Sequence, residues 1–379
     1  MDPFRGPQPK SLLGRHRVLS PSASIRVSPL FLGTSVFGTA WEGFLGACSK
    51  ETAFAILDHY VQAGGNVIDS ANYYQSGETE IWLGEWLALR KNRNDLVLCT
   101  KFSSNMMLNT PEQTDTTILS NYGGNNSKSL KLSVEKSLKV LGTTYIDILY
   151  IHWWDFTTSP SELMRSLNRL IAAGTVLYLG ASDMPAWFVV QCNAFARQHG
   201  LSPFIIYTGR WNVADRDMER EILDMCAAED MAVAPWEVLG GGRFKTAAQL
   251  AAQVDQRMEM NPAAKDQFEA VGKVLAGIAE EKETLPTSVA MAYVLQKQPY
   301  VFPIVGGRKV EYLQANIEAL GVRLSEDEIK AIEGASPWER GFPYDILSYY
   351  GSFDGAKDVK QMTGIYDYVE KVKAIQIGQ

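Results

Sequence analysis

The chain has 379 residues, 46% apolar and 21% charged, with a formal net charge of −7 and a pI of about 5.3. That length suits one large barrel or two ordinary domains with ample core material. The acidic balance argues against a general nucleic-acid binder, whose affinity rests on Lys and Arg releasing counterions, but leaves room for one basic pocket holding a small anion.

The opening MDPFRGPQPK is polar and Pro-rich and lacks the apolar segment of a secretory leader, so residues 1–15 read as a flexible lead. RVLSPSASIRV then reads as two short strands about a Ser-Pro turn, a hairpin suited to closing a barrel floor. Strand-length apolar runs follow at LFLGT (30–34), NVID (66–69), LVLCTK (96–101), IDILYIH (146–152), VLYLGA (176–181), FIIY (204–207), AVAPW (232–236) and YVFPIV (300–305). Amphipathic stretches of helical spacing separate them, such as ETAFAILDHYVQAGG, stopped by Gly64 and Gly65, and SLKLSVEKSLKVLG, stopped by Gly142. Runs apolar on both faces and alternating with helices are the pattern of parallel βα units, and eight of them favour an α/β fold of the closed (β/α)8 TIM barrel type over residues 16–335.

The connection 237–263, rich in Gly, Ala and Gln, is long enough to be functional or mobile. Residues 336–379 read as an extension packing on the barrel, with an aromatic run (Phe342, Tyr344, Tyr349, Tyr350) that either anchors it or caps a pocket, and a final amphipathic helix, KDVKQMTGIYDYVEKVKAI. No window approaches the roughly 20 apolar residues of a membrane span. Cys48, Cys99, Cys192 and Cys226 are far apart, without a CxxC pair, and only four His are present, so neither a metal centre nor a disulfide scaffold is expected; the setting that fits is a reduced cytoplasm.

The polar residues are informative by position. Asp69 ends the second strand run, Lys101 the third and His152 the fourth. Neighbouring strands lie about 4.8 Å apart, so inward side chains at successive strand ends can meet over the mouth, where barrel enzymes keep their chemistry. A buried carboxylate needs a cation, and Lys101 is the expected partner of Asp69. Tyr74, in the loop after the second strand, can lean over the same point. A nearby ammonium lowers the pKa of a phenol, which would make Tyr74 a proton donor toward a carbonyl, with His152 hydrogen-bonding the carbonyl oxygen. Hydride must then come from a bound nicotinamide, since no side chain donates it. A strand-end Lys also suits Schiff-base chemistry, and the residues alone do not separate the two. Singly, Asp69 could be a structural carboxylate, Tyr74 a packing residue and Lys101 a rim charge; together they point to function. His16, His59 and His199 read as lead, helix-surface and helix-end residues without a role.

In this order, IDSANYY, LVLCTK, DILYIHWWD, LGASD, APWEVLGGGRF and IVGGRKVEYLQAN resemble the aldo-keto reductase family, especially its fungal aryl-alcohol-dehydrogenase-like and norsolorinic-acid-reductase-like branch. The resemblance implies a barrel with Asp69, Tyr74, Lys101 and His152 as catalytic tetrad and NADP(H) as cofactor. It implies further that Ser182, Asp183 and Thr208 meet the carboxamide of the nicotinamide and that Trp211 stacks on its ring. Gly240, Gly241, Gly242 and Arg243 would then cover the pyrophosphate, Arg308 grip the 2′-phosphate and Asn316 read the adenine. Independently, Gly306, Gly307, Arg308 and Lys309 open a helix after the eighth strand, where barrels favour phosphate, and Arg offers a planar fork to it.

The chain departs from that family at Thr208, where a Gln is usual, at Tyr312, where many members carry Gln, and at Asp183, where Asn is commoner. Trp41, Trp153 and Trp154 read either as rim core or as a substrate wall. The expectation is an oxidoreductase, NADP-dependent, acting on a small-molecule carbonyl or alcohol, with a bulky secondary-metabolite substrate by analogy, as monomer or homodimer. The alternatives are a Schiff-base lyase or aldolase using Lys101, and a non-catalytic NADP-binding regulatory barrel, to which the shorter Thr208 points.

Overall fold

Strands that are apolar on both faces must be covered on both, and a computed structural model, describing residues 6–244, 265–336, 338–347 and 373–375, shows how this chain does so. Eight parallel strands run β3 (Phe31–Gly33), β4 (Val67–Asp69), β5 (Val97–Phe102), β6 (Ile146–Ile151), β7 (Val176–Ser182), β8 (Phe204–Arg210), β9 (Ala232–Trp236) and β10 (Ile304–Val305), in the order β10-β3-β4-β5-β6-β7-β8-β9. The eighth expected strand is cut short because Pro303 has no N–H for the ladder. Closure survives through one parallel bridge, Val233 to Val301, with the Phe302 N–H donating to Val233 O at 2.8 Å. The expected (β/α)8 barrel is therefore the fold.

Helices separate the strands where the sequence carries caps. Ser49 caps Lys50–Gln62, Asn126 caps Ser127–Leu141, and Ser159 followed by Pro160 opens Pro160–Ala172. Gly142, left-handed at φ +64°, stops the second of these as expected. The expected hairpin is also present, as β1 (Arg17–Ser20) and β2 (Ala23–Val27), paired antiparallel.

Side-chain alternation sorts the core into two layers. Val67, Val97, Cys99, Ile148, Tyr150, Ile206, Ala232 and Ala234 fill the lumen, and Leu19, Ala23 and Val27 of the hairpin plug it from below. The intervening residues, such as Ile68, Leu98, Leu149 and Leu179, pack outward against helices. The outer layer also holds a carboxyl: Glu80, 2% exposed, accepts from Thr100 Oγ1 at 2.5 Å and from Ser137 Oγ at 2.9 Å, and so ties the helices Glu78–Arg90 and Ser127–Leu141 to β5 beside Lys101.

The lead is shorter than expected. Leu12–Gly14 form a helical turn, Leu13 is fully buried, and His16 Nε2 lies 2.8 Å from Gly64 O, because the end of helix Lys50–Gln62 offers carbonyls to this segment. At the other end, Trp338 lies over Arg216 and Arg220, and Arg340 pairs with Asp224 and stacks on Tyr344, which attaches the start of the extension to the segment after β8. Phe342 is exposed. Tyr349, Tyr350, nearly all of the expected final helix and most of the 237–263 connection lie outside the described residues. Among the described residues no helix is long and apolar enough to cross a membrane.

Helices Glu78–Arg90 and Ser127–Leu141 meet at Gly84, where a Cβ would overlap the Val140 carbonyl oxygen and lie 3.0 Å from Leu141 Cα. Backbone cannot retreat as a side chain can. Gly84→Ala is expected to cost about 1–3 kcal/mol by overpacking, seen as a lower denaturant midpoint at unchanged slope.

Candidate active site

The register explains why three strand ends converge. Asp69 is level with Cys99, and Lys101 with Tyr150, so the inward series Asp69, Lys101, His152 climbs one two-residue step per strand around the mouth. Tyr74 joins them from the turn Tyr74–Gly77. All four expected residues meet at one place.

Asp69 and Lys101 are almost completely buried, whereas Tyr74 and His152 each keep an edge open to the mouth. The Lys101 Nζ donates to Asp69 Oδ1 at 2.5 Å and to Ser70 O at 2.8 Å, and lies 3.4 Å from the Tyr74 hydroxyl oxygen. Three acceptors use all three protons of an ammonium. Burial opposes that charge, but Asp69 and Tyr74 outweigh it, and the Lys101 pKa is raised. Because Lys101 donates to the phenol oxygen, the Tyr74 proton is left to point at the mouth.

The electrostatics correct one expectation. Burial raises the Tyr74 pKa more than Lys101 lowers it, so the phenol is held protonated, and Lys101 limits the rise without producing a net drop. His152 is pushed well below its ordinary value, by burial first and then by Lys101. A neutral imidazole results. Its Nδ1 lies 3.5 Å from Ser104 Oγ, and with that hydroxyl donating, the tautomer carries its proton on Nε2.

Aromatic rings continue from this centre. Trp41 sits edge-on to Tyr74 with centroids 6.4 Å apart, Tyr74 edge-on to His152 at 5.8 Å, and Trp153, 41% exposed, tilts against His152 at 4.5 Å. Trp154 goes elsewhere. It stacks on Phe188 at 3.9 Å and donates to Thr158 O, so it belongs to the outer helix layer and not to a substrate wall.

Around the far side of the mouth, Ser182 and Thr208 are level in β7 and β8 and both are buried; the Thr208 hydroxyl has no hydrogen-bond partner among the described residues. Asp183, at φ +46°, turns out of the strand to a water-accessible place where it accepts from Trp236 Nε1 at 3.2 Å. Protein crowding still raises its carboxyl to about 6, with Trp236, Lys101 and Arg210 pulling the other way.

Trp211 does not offer a ring to the mouth as expected. It is fully buried in the outer core, and its Nε1 donates to Glu219 at 3.0 Å. The available ring is Trp236, partly exposed at the end of β9. Strand parity carried that signal: Ala232 and Ala234 point inward and so does Trp236, whereas Trp211 has the parity opposite to Ile206 and Thr208.

Gly240, Gly241 and Gly242 form a tight turn after β9. Arg243 is drawn back toward it, donating to Gly240 O at 2.9 Å and lying 3.4 Å from Glu237 Oε1, with its guanidinium over Phe268. Arg308 lies just before helix Val310–Ala319 with its guanidinium against Gly46, and beside Cys48, whose thiol burial pushes up to about 11 against the pull of that charge. Asn316 is buried on the same helix, and Tyr312 is partly exposed beside Lys309.

These groups suit a nicotinamide nucleotide. A buried hydroxyl without a partner among the described residues, a partly exposed indole and an Arg before a helix N-terminus are a polar anchor, a stacking surface and an anion site.

The sequence model of the Aldo/keto reductase family matches residues 29–337. Norsolorinic acid reductase A of Aspergillus parasiticus is 53% identical over 341 residues, spanning 90% of this chain and 86% of its own. Norsolorinic acid reductase B of Dothistroma septosporum is 50% identical over 377 residues, with 95% and 94% spanned. An aryl-alcohol dehydrogenase of Pestalotiopsis microspora is 48% identical over 370 residues, with 97% and 94% spanned. A barrel of eight parallel strands and a family match across most of its length lead to one assignment: the chain is an oxidoreductase and belongs to the aldo/keto reductase family, whose members generally use NAD(P)H.

Proposed function

We propose that this chain is an NADPH-dependent reductase of bulky aromatic aldehydes or ketones, able to run in reverse on the alcohols. The observation that carries the reading is the saturated ammonium of Lys101, which gathers Asp69 and the Tyr74 hydroxyl at one point. The names of the relatives, reductases of norsolorinic acid and an aryl-alcohol dehydrogenase, support the substrate class.

When bound, the cofactor supplies hydride to the carbonyl carbon. Tyr74 gives its proton to the carbonyl oxygen, and the ammonium of Lys101, 3.4 Å away, stabilises the phenolate that remains. His152 stays neutral and donates from Nε2, which orients the carbonyl. Asp69 keeps Lys101 charged. A Schiff base at Lys101 would require an uncharged amine, which the three acceptors and the ion pair oppose. Ser182, Thr208 and Asp183 would hold the carboxamide, and Trp236, in place of the expected Trp211, would offer its indole to the ring. Arg308 would take the 2′-phosphate, Asn316 the adenine, and Gly240 to Arg243 the pyrophosphate side.

Tyr74→Phe removes the donated proton and little else. Carbonyl reduction, followed by NADPH absorbance, is expected to fall by about 10²- to 10⁴-fold, while NADPH still quenches protein fluorescence with similar affinity. Normal turnover would exclude Tyr74 as the acid.

Arg308→Leu removes a charge-assisted contact worth about 1.5–3 kcal/mol, so NADPH affinity is expected to drop about ten- to a hundredfold with NADH affinity nearly unchanged. Equal losses for the two would refute the 2′-phosphate role.

Asp183 provides a pH test. Below its value of about 6 it is neutral, and above it is an anion. Only the oxidised nicotinamide carries a positive ring, so the anion favours NADP+ over NADPH. The ratio of NADP+ to NADPH dissociation constants is expected to fall a few-fold between about pH 5 and about pH 8, and to stay flat in Asp183→Asn. The phosphates titrate in both forms and cancel from the ratio.

A further inference from the structure

Gln75 and Ser76, directly after Tyr74, sit at φ +54° and φ +53°, a left-handed region that non-glycine residues occupy at a cost. Neither is a glycine, so something else holds the turn. The Gln75 side chain is 1% exposed and spans two backbone groups of the loop after β3: its Nε2 donates to Ser35 O at 2.9 Å, and its Oε1 accepts from Trp41 N–H at 2.7 Å.

The same loop is tied to the next residues as well. Glu78 Oε2 accepts from Thr39 N–H at 2.6 Å, and Thr79 Oγ1 donates to Phe37 O at 2.8 Å. Gly38 packs so closely that a Cβ there would overlap Gln75 Cβ and Cγ. Residues 35–41 and 75–79 are thus stitched into one unit, which includes Trp41 and directly follows Tyr74.

We propose that Gln75 is a positioning residue that fixes Trp41 as one wall of the substrate site, so that a flat aromatic carbonyl is selected between Trp41 and Trp153. The geometry is the run of rings Trp41, Tyr74, His152, Trp153, in which the proposed proton donor and carbonyl anchor lie in the middle and an indole stands at each end. Trp41 is further braced edge-on by Tyr73 at 5.5 Å. Gln75 holds the Trp41 backbone while Tyr73 and Tyr74 brace its ring, and an aromatic substrate loses less freedom against a fixed face than against a mobile one. A small aliphatic carbonyl has no flat ring to lay against either wall.

This inference rests on the carbonyl-reductase reading, and the test separates the two. Gln75→Gly is the informative variant, because Gly adopts the local backbone without penalty while both side-chain bonds are lost. Wild type, Gln75→Gly, Trp41→Ala and the double variant are compared by kcat and KM for a naphthaldehyde and for propanal, with NADPH dissociation constants from fluorescence quenching.

The expected result is a fall of about tenfold in the naphthaldehyde-to-propanal ratio of kcat/KM for Gln75→Gly, through KM, at unchanged NADPH affinity. The double variant is expected to be no worse than Trp41→Ala alone, the coupling of a residue that acts through Trp41. Gln75→Glu keeps the acceptor for Trp41 N–H and is expected to recover part of the ratio. An equal loss for both substrates would assign Gln75 to the Tyr74 turn and overturn the proposal. An unchanged ratio or additive losses would overturn it as well. A wild-type protein that binds NADPH but reduces neither carbonyl would remove the reductase reading, and this inference with it.

Discussion

A buried ammonium meeting a buried carboxylate at 2.5 Å is the constraint on which the rest of the mouth depends. Neither charge has water to fall back on, and removing one partner of such a pair typically costs about 3–5 kcal/mol, because the other is left uncompensated. The pair therefore joins β4 to β5 through side chains, next to the backbone ladder that already joins them. It also sets the state of its neighbours. Lys101 has one proton left over for the Tyr74 oxygen, and its charge disfavours a second cation at His152. Burial leaves both the phenol and the imidazole uncharged, and the shared ammonium opposes that effect at Tyr74 and adds to it at His152.

Support for that pair comes from both sides of the sheet. Inside the barrel, Tyr150 packs beneath Lys101, with the ammonium 5.6 Å from its ring, and the hairpin plugs the lumen below. Outside, Glu80 receives hydroxyls from Thr100 and Ser137 next to the strand that carries Lys101. A carboxyl there is costly, and burial raises its pKa, but its two donors are covalently part of the elements it joins. The same segment that holds Glu80 also supplies Gln75, Glu78 and Thr79, so the helix after β4 anchors the Tyr74 turn, the β3 loop and the Lys101 strand together.

Much of this was legible from residue order because barrel strands report themselves twice, as apolar runs and as ionisable residues at their ends. Asp69, Lys101 and His152 stood out for that reason. The errors have physical causes too. The run at 300–305 looked like a full strand, but Pro303 interrupts its ladder. Trp236 is the last residue of β9 and Trp211 lies one residue past β8, and that opposite parity sends one to the mouth and the other into the core. Trp153 and Trp154 are neighbours, and the turn after β6 sends them to different layers. The lead ends earlier than composition implied, since Leu13 finds a place in the core.

The sequence by itself determined the barrel, the family and the residue types of the candidate site, because periodicity, strand ends and ordered motifs are local properties of the chain. Tertiary structure alone decided the net direction of the Tyr74 pKa, the saturation of Lys101, the orientation of each tryptophan and the clamp made by Gln75. Each of these depends on burial and on partners dozens of residues away, and such distances exist only once the strands have closed around a common axis.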